Sequence, residues 1–505
     1  MYRSGHRLRL AELLASLSLA TDLGTGQPLG HGLRTCALAM MMAQELGCSV
    51  DIMRSVYQVS LLRFLGCTAD AAETAHMVGG DDIGFNAAMA PVFLGGSAES
   101  LQTMLRTVGG SDSPLKRARL VTGVLTDLGG PAAGLTAHCE VAAMLARRLE
   151  LDQSVITALQ HAYERWDGKG YPAGLDGEDI PIEIRIVSVA RDADLLLHRN
   201  GDALEVLKRR RGKSYDPVVV DAFGSIRSGP VEADWEMVME AEPQPAAFVD
   251  DLDLALSVAA DFVDLKSPWT RGHSRKVADL ASTAALELGL DVDEVRMAAL
   301  VHDLGRVGVE NGVWDKRGPL AIDDWEKVRL HPYLTQRILS RCPGMAALGE
   351  LASSHHERLD GSGYHRQTSA DGLARPARIL AAADVLAALL SPRPYRDALN
   401  MDEASSVLDD EARLGRLDPV AVGQVVTAAG GHLQPTATVN PDGLTDREVE
   451  VLVLMAGGST NRRMADDLFI SPKTVGRHVE NIYAKIGVST RAAAAVYAME
   501  HRLLK

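Results

Sequence analysis

Aromatic residues are scarce, 4% of the 505-residue chain, while 46% of it is hydrophobic. The apolar content is therefore aliphatic, rich in Ala and Leu, which suits packed helices better than sheets. No apolar run reaches the roughly 18 residues that a membrane span needs, so no helical span is expected. The five cysteines (Cys36, Cys48, Cys67, Cys139 and Cys342) are odd in number and lack CxxC spacing. That argues against a disulfide framework and a thiolate zinc site, and for reduced core residues. Positive charge is also short: 52 Lys and Arg against 67 Asp and Glu give a net charge of −15, which argues against the chain as a whole being a nucleic-acid binder. The opening MYRSGHRLRLAELLASLSLA has a basic start and an apolar stretch, as a signal peptide would. Glu12 interrupts that stretch, however, and Leu8, Leu10, Leu13, Leu14 and Leu17 fit one helix face, so the reading is a cytoplasmic protein.

What the chain does have is a concentration of histidine and aspartate. His302-Asp303, His331 and His355-His356, followed by Asp384, lie in helix-rich sequence. A single histidine in a helix is ordinarily packed or solvated, but imidazoles and carboxylates in adjacent pairs are the ligand set for two divalent metals sharing a carboxylate. In VHDLGRVG the polar pair follows Val301 and precedes Leu304, and burying it is costly without metal or hydrogen bonds. HHERLDGSGY runs into a glycine-rich turn, where backbone can approach a phosphate closely. The chemistry implied is hydrolysis of a phosphate ester.

In order and approximate spacing, GHSRKV, VHDLGRVG, the LHP around His331, HHERLDGSGY, RIL with its later AD, and RPYRDAL resemble the HD-GYP phosphodiesterases. These are all-helical metal enzymes acting on cyclic dinucleotides such as cyclic di-GMP, and the resemblance covers roughly residues 251–430. It implies His273, His302, Asp303, His331, His355, His356 and Asp384 as metal ligands, with Asp303 bridging two divalent ions, iron or manganese. The His/Asp mixture by itself also accepts zinc. Asp303 and Arg306 are the implied catalytic residues, and Arg306, Gly363 and Tyr364 the substrate contacts. Two positions depart from the pattern. The lysine after HDxG is Arg306, a planar fork in place of a point charge, and the proline of Gly-Tyr-Pro is His365.

The same pattern occurs earlier in degraded form. Gly30-His31 matches Gly272-His273; LLRFLG at 61–66 matches LVHDLG at 300–305; ERWDGKGYP at 164–172 matches ERLDGSGYH at 357–365; and His138 pairs with His331. An insertion of roughly 46–49 residues lies between about 75 and 135 of the first copy. Opposite the ligand pairs stand Arg63-Phe64 and Ala162-Tyr163, and opposite Asp384 stands Arg191. Guanidinium groups repel cations and phenylalanine has no lone pair to give, so no dinuclear metal is expected there. His161 is one residue out of register with the ligand pair. The first copy is read as a sensor, a dimerisation surface or a scaffold.

From Gly443 onward nine Lys and Arg face seven Asp and Glu, a local +2 that leaves −17 on the preceding residues. Thr445-Asp446-Arg447-Glu448 is a capping box, Gly457-Gly458 end the helix it opens, and Ser471-Pro472 start another. In that last helix Val475, Val479, Ile482 and Ile486 form a buried stripe, leaving Lys473, Gly476, Arg477, Glu480 and Asn481 outside. LTDREVEVL and SPKTVGRHVENIYAKIGVSTR resemble the LuxR-type helix-turn-helix domain over nearly all of 443–505. By that resemblance Lys473, Thr474 and Lys485 contact DNA phosphates and Arg477 reads a base edge. Glu480 is less typical of a DNA-facing position.

The expected fold is all-α: a degenerate HD-GYP-like domain (1–225), a linker (226–250), an HD-GYP phosphohydrolase domain (251–431), a linker (432–442) and a LuxR-type domain (443–505). The expected function is a DNA-binding regulator, homodimeric and free of membrane, that hydrolyses a cyclic dinucleotide. A nucleotide sensor with little turnover and a phosphohydrolase of another nucleotide are the alternatives. Metal analysis of the full chain, saturated with manganese and desalted, is expected to find two retained ions per chain; four would show that the first copy kept a site.

Overall fold

The computed structural model describes residues 7–92, 97–110, 113–126, 130–198, 202–226, 235–433, 441–468, 470–501 and 503–504. Residues 227–234 and 434–440, in which parts of the two expected linkers fall, lie outside these. Among the described residues the regular elements are all helices, with only isolated β-bridges and no strand. The chain divides into two compact units, Met1–His432 and Leu433–Lys505.

In the first unit, helices begin where the sequence supplies an acceptor for the free N–H groups of a first turn. Asp251 caps Leu254, Asp291 caps Glu294, and Asn400 forms a reciprocal box with Glu403. Asp418 caps the helix Pro419–Ala428, and Asp216 caps Pro217–Ser225 in the same way.

The helix Leu10–Gly24 is buried on nearly all sides rather than on one face, and Leu8 precedes it. It packs against His31–Glu45, Val50–Leu62 and the short turn Leu304–Gly308, so it serves both halves of the unit. That shared burial explains an aliphatic composition without a polar stripe.

Several contacts recur between the halves. A Cβ on Gly66 would lie 2.0 Å from the His138 carbonyl oxygen, and one on Gly305 2.1 Å from that of His331. Both glycines let a turn lie directly on a helix backbone. A Cβ on Gly170 would meet Glu164 Cα at 2.4 Å, and one on Gly363 would meet Glu357 Cα at 2.5 Å. Arg185 reaches Asp216, and Arg378 reaches Asp418, each at 2.9 Å.

The helices Ala71–Val78 and Asp82–Met89 join the halves through one buried carboxylate. Asp82 accepts from Lys266 Nζ and from the Asn311 amide, both at 2.8 Å, and Gly312 donates to the Gly80 carbonyl at 2.9 Å. Asp82 and Lys266 are almost entirely buried. Lys266→Met leaves that carboxylate without its cation, and the expected loss is about 3–5 kcal/mol of stability in chemical denaturation. A loss under about 1 kcal/mol would mean that the junction is not structural.

In the second unit, Thr445 caps Glu448 and receives its carboxylate in return, and Thr460, Ser471 and Thr490 cap the three following helices. The helices Asp446–Ala456, Asn461–Asp467, Pro472–Ile486 and Arg491–Glu500 enclose a core that includes Val451, Leu452, Met464, Val475 and Ile482. Val479 and Ile486 pack at its edge, half-buried.

Candidate metal centre

Three of the expected ligands stand where a helix has a carbonyl to spare. The last four carbonyls of an α-helix have no intrahelical donor. His302 follows the helix Val292–Val301 and its Nδ1 donates to Ala299 O at 2.7 Å; His355 follows Ala346–Ala352 and donates to Ala352 O at 2.7 Å. His331 lies inside the helix Ile322–Leu339, but Pro332 has no N–H for the carbonyl four residues back, Val328 O. His331 Nδ1 takes up that carbonyl at 2.6 Å, which is the physical content of the LHP motif.

A carbonyl only accepts, so each Nδ1 carries a proton, and in the neutral imidazole Nε2 then presents a lone pair. The three Nε2 atoms converge. Those of His331 and His355 are 3.0 Å apart, and that of His302 is buried with no hydrogen-bond partner. Two lone pairs facing each other at that distance repel unless a cation lies between them, so the donor set fits a metal.

Asp303 divides the cluster. Its Oδ2 lies 3.5 Å from His302 Nε2 and 3.9 Å from His273 Nε2, and its Oδ1 lies 3.3 Å from His331 and 3.6 Å from His355. Asp384 joins the first group, 3.1 Å from His273 and 3.8 Å from His302, while its other oxygen is 3.7 Å from His356 Nδ1. Two ligand trios, His273-His302-Asp384 and His331-His355-His356, thus stand on opposite sides of one carboxylate, and His302-Asp303-His355 form a third close group. All seven expected ligands are brought together. Among the described residues no such trio occurs in the first half.

Burial pushes the imidazoles of His273, His355 and His356 below their ordinary pKa, His355 to about 3, with neighbouring imidazoles adding to the effect at His355 and His356. Burial works the other way on Asp303 and Asp384, but the facing histidines in their protonated form, with Arg306 beside Asp303 and the His273 hydrogen bond at Asp384, hold both well below the usual carboxylate range. Neutral imidazoles and ionised carboxylates are the forms that bind metal.

Arg306 donates to Asp303 Oδ2 at 3.0 Å and stacks on Trp314, 3.9 Å from the ring centre. Tyr364 lies beside His356, with ring centres 4.7 Å apart. Gly363 is required by close backbone approach, as described above. Sequence reasoning missed Trp314, which also meets His331 edge-on. It missed Thr335 as well, whose hydroxyl donates to the His302 carbonyl at 2.9 Å and accepts from the Gly305 amide at 2.8 Å. Neither falls in a motif; only their packing on the HDLG turn reveals them.

In the C-terminal unit Lys473, Thr474 and Arg477 are exposed on Pro472–Ile486. Lys485 instead donates to Glu448 at 2.6 Å and to the Gly443 carbonyl at 2.8 Å. A phosphate contact by Lys485 therefore competes with an ion pair that ties two helices of the unit together.

A helical, buried His/Asp centre of this kind defines a metal-dependent phosphohydrolase. Comparison with known proteins agrees. A model of the HD domain matches residues 133–219 and 257–420, and one of bacterial regulatory proteins of the luxR family matches 442–498. The chain is 31% identical over 427 residues to 3'3'-cGAMP-specific phosphodiesterase 3 of Vibrio cholerae, covering 81% of this chain and 92% of that protein. It is 38% identical over 175 residues to the cyclic di-GMP phosphodiesterase response regulator RpfG of Xanthomonas campestris, covering 33% of this chain and 45% of that one. A crystal structure of a cyclic GMP-AMP-specific phosphodiesterase of V. cholerae superposes with a TM-score of 0.58 at 26% identity, over 85% of this chain and 99% of that one. The chain belongs to the HD-domain phosphohydrolases of the HD-GYP type, with a LuxR-family domain following. No helix among the described residues is long and apolar enough to cross a membrane.

The depressed imidazole pKa values set a pH dependence for the metal-free protein. The unfolded chain takes up protons at His273, His355 and His356 below the ordinary value of 6.5, while the folded chain does not until lower pH. Their contribution is present above 6.5 and is lost as pH falls toward the folded values, by up to about 1.4 kcal/mol per histidine per pH unit. The melting temperature of chelator-treated protein is expected to fall between pH 7.5 and 5.5, and to fall less in His355→Gln. An equal fall in both would contradict the burial argument.

Proposed function

We propose that residues 251–431 form a dinuclear phosphodiesterase for 3'3'-linked cyclic dinucleotides, and that residues 443–505 read DNA, in a homodimeric, cytoplasmic transcription regulator. In this reading residues 1–225 are a degenerate copy without metal, and 226–250 and 432–442 are linkers. The observation that carries the reading is the single buried Asp303 carboxylate, with one oxygen toward His273 and His302 and the other toward His331 and His355. A carboxylate so placed would be able to hold two ions at once.

Iron or manganese, once bound, supplies Lewis-acid polarisation of a phosphoryl oxygen and a nucleophile at neutral pH. The chain's own residues do the rest. His273, His302 and Asp384 would hold one ion, and His331, His355 and His356 the other. Arg306, fixed between Asp303 and Trp314, sets a cation at the centre that offsets charge growing on the phosphate. Gly363 and Tyr364 form the adjoining wall, against which the nucleotide is oriented. The relative matched over most of this chain is named for 3'3'-cGAMP and others for cyclic di-GMP, so both are the first substrates to test.

DNA contact is assigned to Lys473 and Thr474 at phosphates and Arg477 at a base edge, with Lys485 reaching a phosphate only by leaving Glu448. Paired tails on two half-sites make operator affinity sensitive to the spacing that the upstream dimer sets.

Asp303→Ala is expected to lose bound metal and to lower hydrolysis of 3'3'-cGAMP and cyclic di-GMP by about a hundredfold or more, with an unchanged circular dichroism spectrum. Wild-type turnover in metal-reconstituted mutant would sink the assignment. In parallel, cyclic dinucleotide is expected to shift operator affinity by about 5–150-fold, with Arg477→Ala as the DNA-blind control. Unchanged affinity, oligomeric state and transcriptional output would leave the enzyme without the regulatory role.

A further inference from the structure

The place in the first half that answers to the metal centre is a cavity of about 150 Å³. Most of its wall is apolar: Phe64, Met77, Phe85, Met89, Met104 and Leu195 line it. Phe64 occupies the sequence position answering to the bridging aspartate, and the helices Ala71–Val78, Asp82–Met89 and Ser97–Thr107 supply most of the other apolar groups.

Among the lining residues at positions answering to the metal ligands, His138 and Arg191 are engaged and His31 is only partly so. His138 has both ring nitrogens occupied, Nε2 with Asp70 at 2.6 Å and Nδ1 with the Tyr163 hydroxyl at 3.1 Å. Arg191 is bound to Asp192. His31 is 1% exposed and lines the cavity, and its Nε2 has no partner. Its Nδ1 lies 2.6 Å from Asp194, a carboxylate that Arg34 also holds at 2.9 Å. An ionised carboxylate accepts, so the ring proton sits on Nδ1 and Nε2 offers a lone pair to the cavity.

We propose that this cavity is a receptor site for a small organic molecule with an apolar, single-ring-sized body and one hydroxyl or amine that donates to His31 Nε2. A mostly apolar cavity of this size accommodates a benzene-sized body. A buried acceptor left unmatched is costly, which gives the donor its selectivity.

The wall of this cavity is fastened to the second half. Thr74, Met77, Phe85 and Met89 stand on the helices Ala71–Val78 and Asp82–Met89, and Asp82, which opens the second, holds Lys266 and the amide of Asn311. Asn311 begins the short helix that carries Trp314, on which Arg306 stacks beside Asp303. Ligand that orders the wall therefore braces residues 303–314. The receptor role stands on the first half alone and does not depend on which nucleotide the second half hydrolyses.

The test uses full-length protein with 4-fluorophenol and its non-donating analogue 4-fluorotoluene, followed by fluorine NMR titration. Saturable binding of 4-fluorophenol is expected, about tenfold tighter than 4-fluorotoluene. Ala90→Trp and Met104→Trp, which fill the cavity, are each expected to weaken it at least about tenfold; two are made so that one misfolded variant does not decide the result. His31→Phe is expected to abolish the preference for the phenol. Hydrogen exchange is expected to slow at residues 82–90 and at 303–314 when 4-fluorophenol is bound. No saturable binding, or binding that survives in a folded cavity-filled variant, overturns the receptor. Equal affinity for the two probes overturns the donor, and protection confined to 82–90 overturns the link to the second half.

Discussion

Everything at the metal centre depends on three backbone carbonyls that their helices leave unpaired. Ala299 O and Ala352 O are free because helices end there, and Val328 O because Pro332 has no proton to give it. Each takes the Nδ1 proton of a histidine three residues on. Tautomer and ring direction are thereby fixed by main chain, not by flexible side chains, and the three Nε2 atoms are set around the Asp303 carboxylate before any ligand arrives. Preorganisation of this kind lowers the cost of assembling the site.

The Asp303 turn must then come close enough to divide those lone pairs. Gly305 allows this, since the turn lies on the His331 carbonyl where a Cβ cannot fit, and Thr335 stitches the turn to the helix from both sides. The first half keeps the corresponding approach of Gly66 to His138, yet sets Phe64 where the carboxylate would be. One backbone frame thus carries a charged centre in one half and an apolar cavity in the other. The frame tolerates the exchange because the contacts that hold it are main-chain contacts, which the exchanged side chains do not make.

The two arrangements also face opposite electrostatic problems. In the second half, burial disfavours charge on His273, His355 and His356, and the close approach of His331 and His355 calls for a cation. In the first, His138 is satisfied by Asp70 and Tyr163, and Arg191 by Asp192, so the pocket has little left to attract a metal. The Asp82 junction with Lys266 and Asn311 lets the helices Ala71–Val78 and Asp82–Met89 bear on both.

Much of this was legible in residue order. The all-helical class followed from aliphatic composition, and the capping box at Thr445 and the Ser471-Pro472 start from local chemistry, because each of these depends on residues near one another in the chain; the seven His and Asp positions came from the resemblance to the HD-GYP pattern. What sequence alone determined is therefore the chemical inventory: which donors exist, and which helix ends present them. Tertiary structure decided how that inventory is shared out. The burial of Leu10–Gly24 against both halves, the diversion of Lys485 to Glu448 and the placing of His31, its Nε2 without a partner, beside a cavity lined by Phe85, Met89 and Leu195 all join residues far apart in the chain. Local propensity carries no information about such pairs; they are set by which surfaces the packed helices bring within a few ångströms of each other.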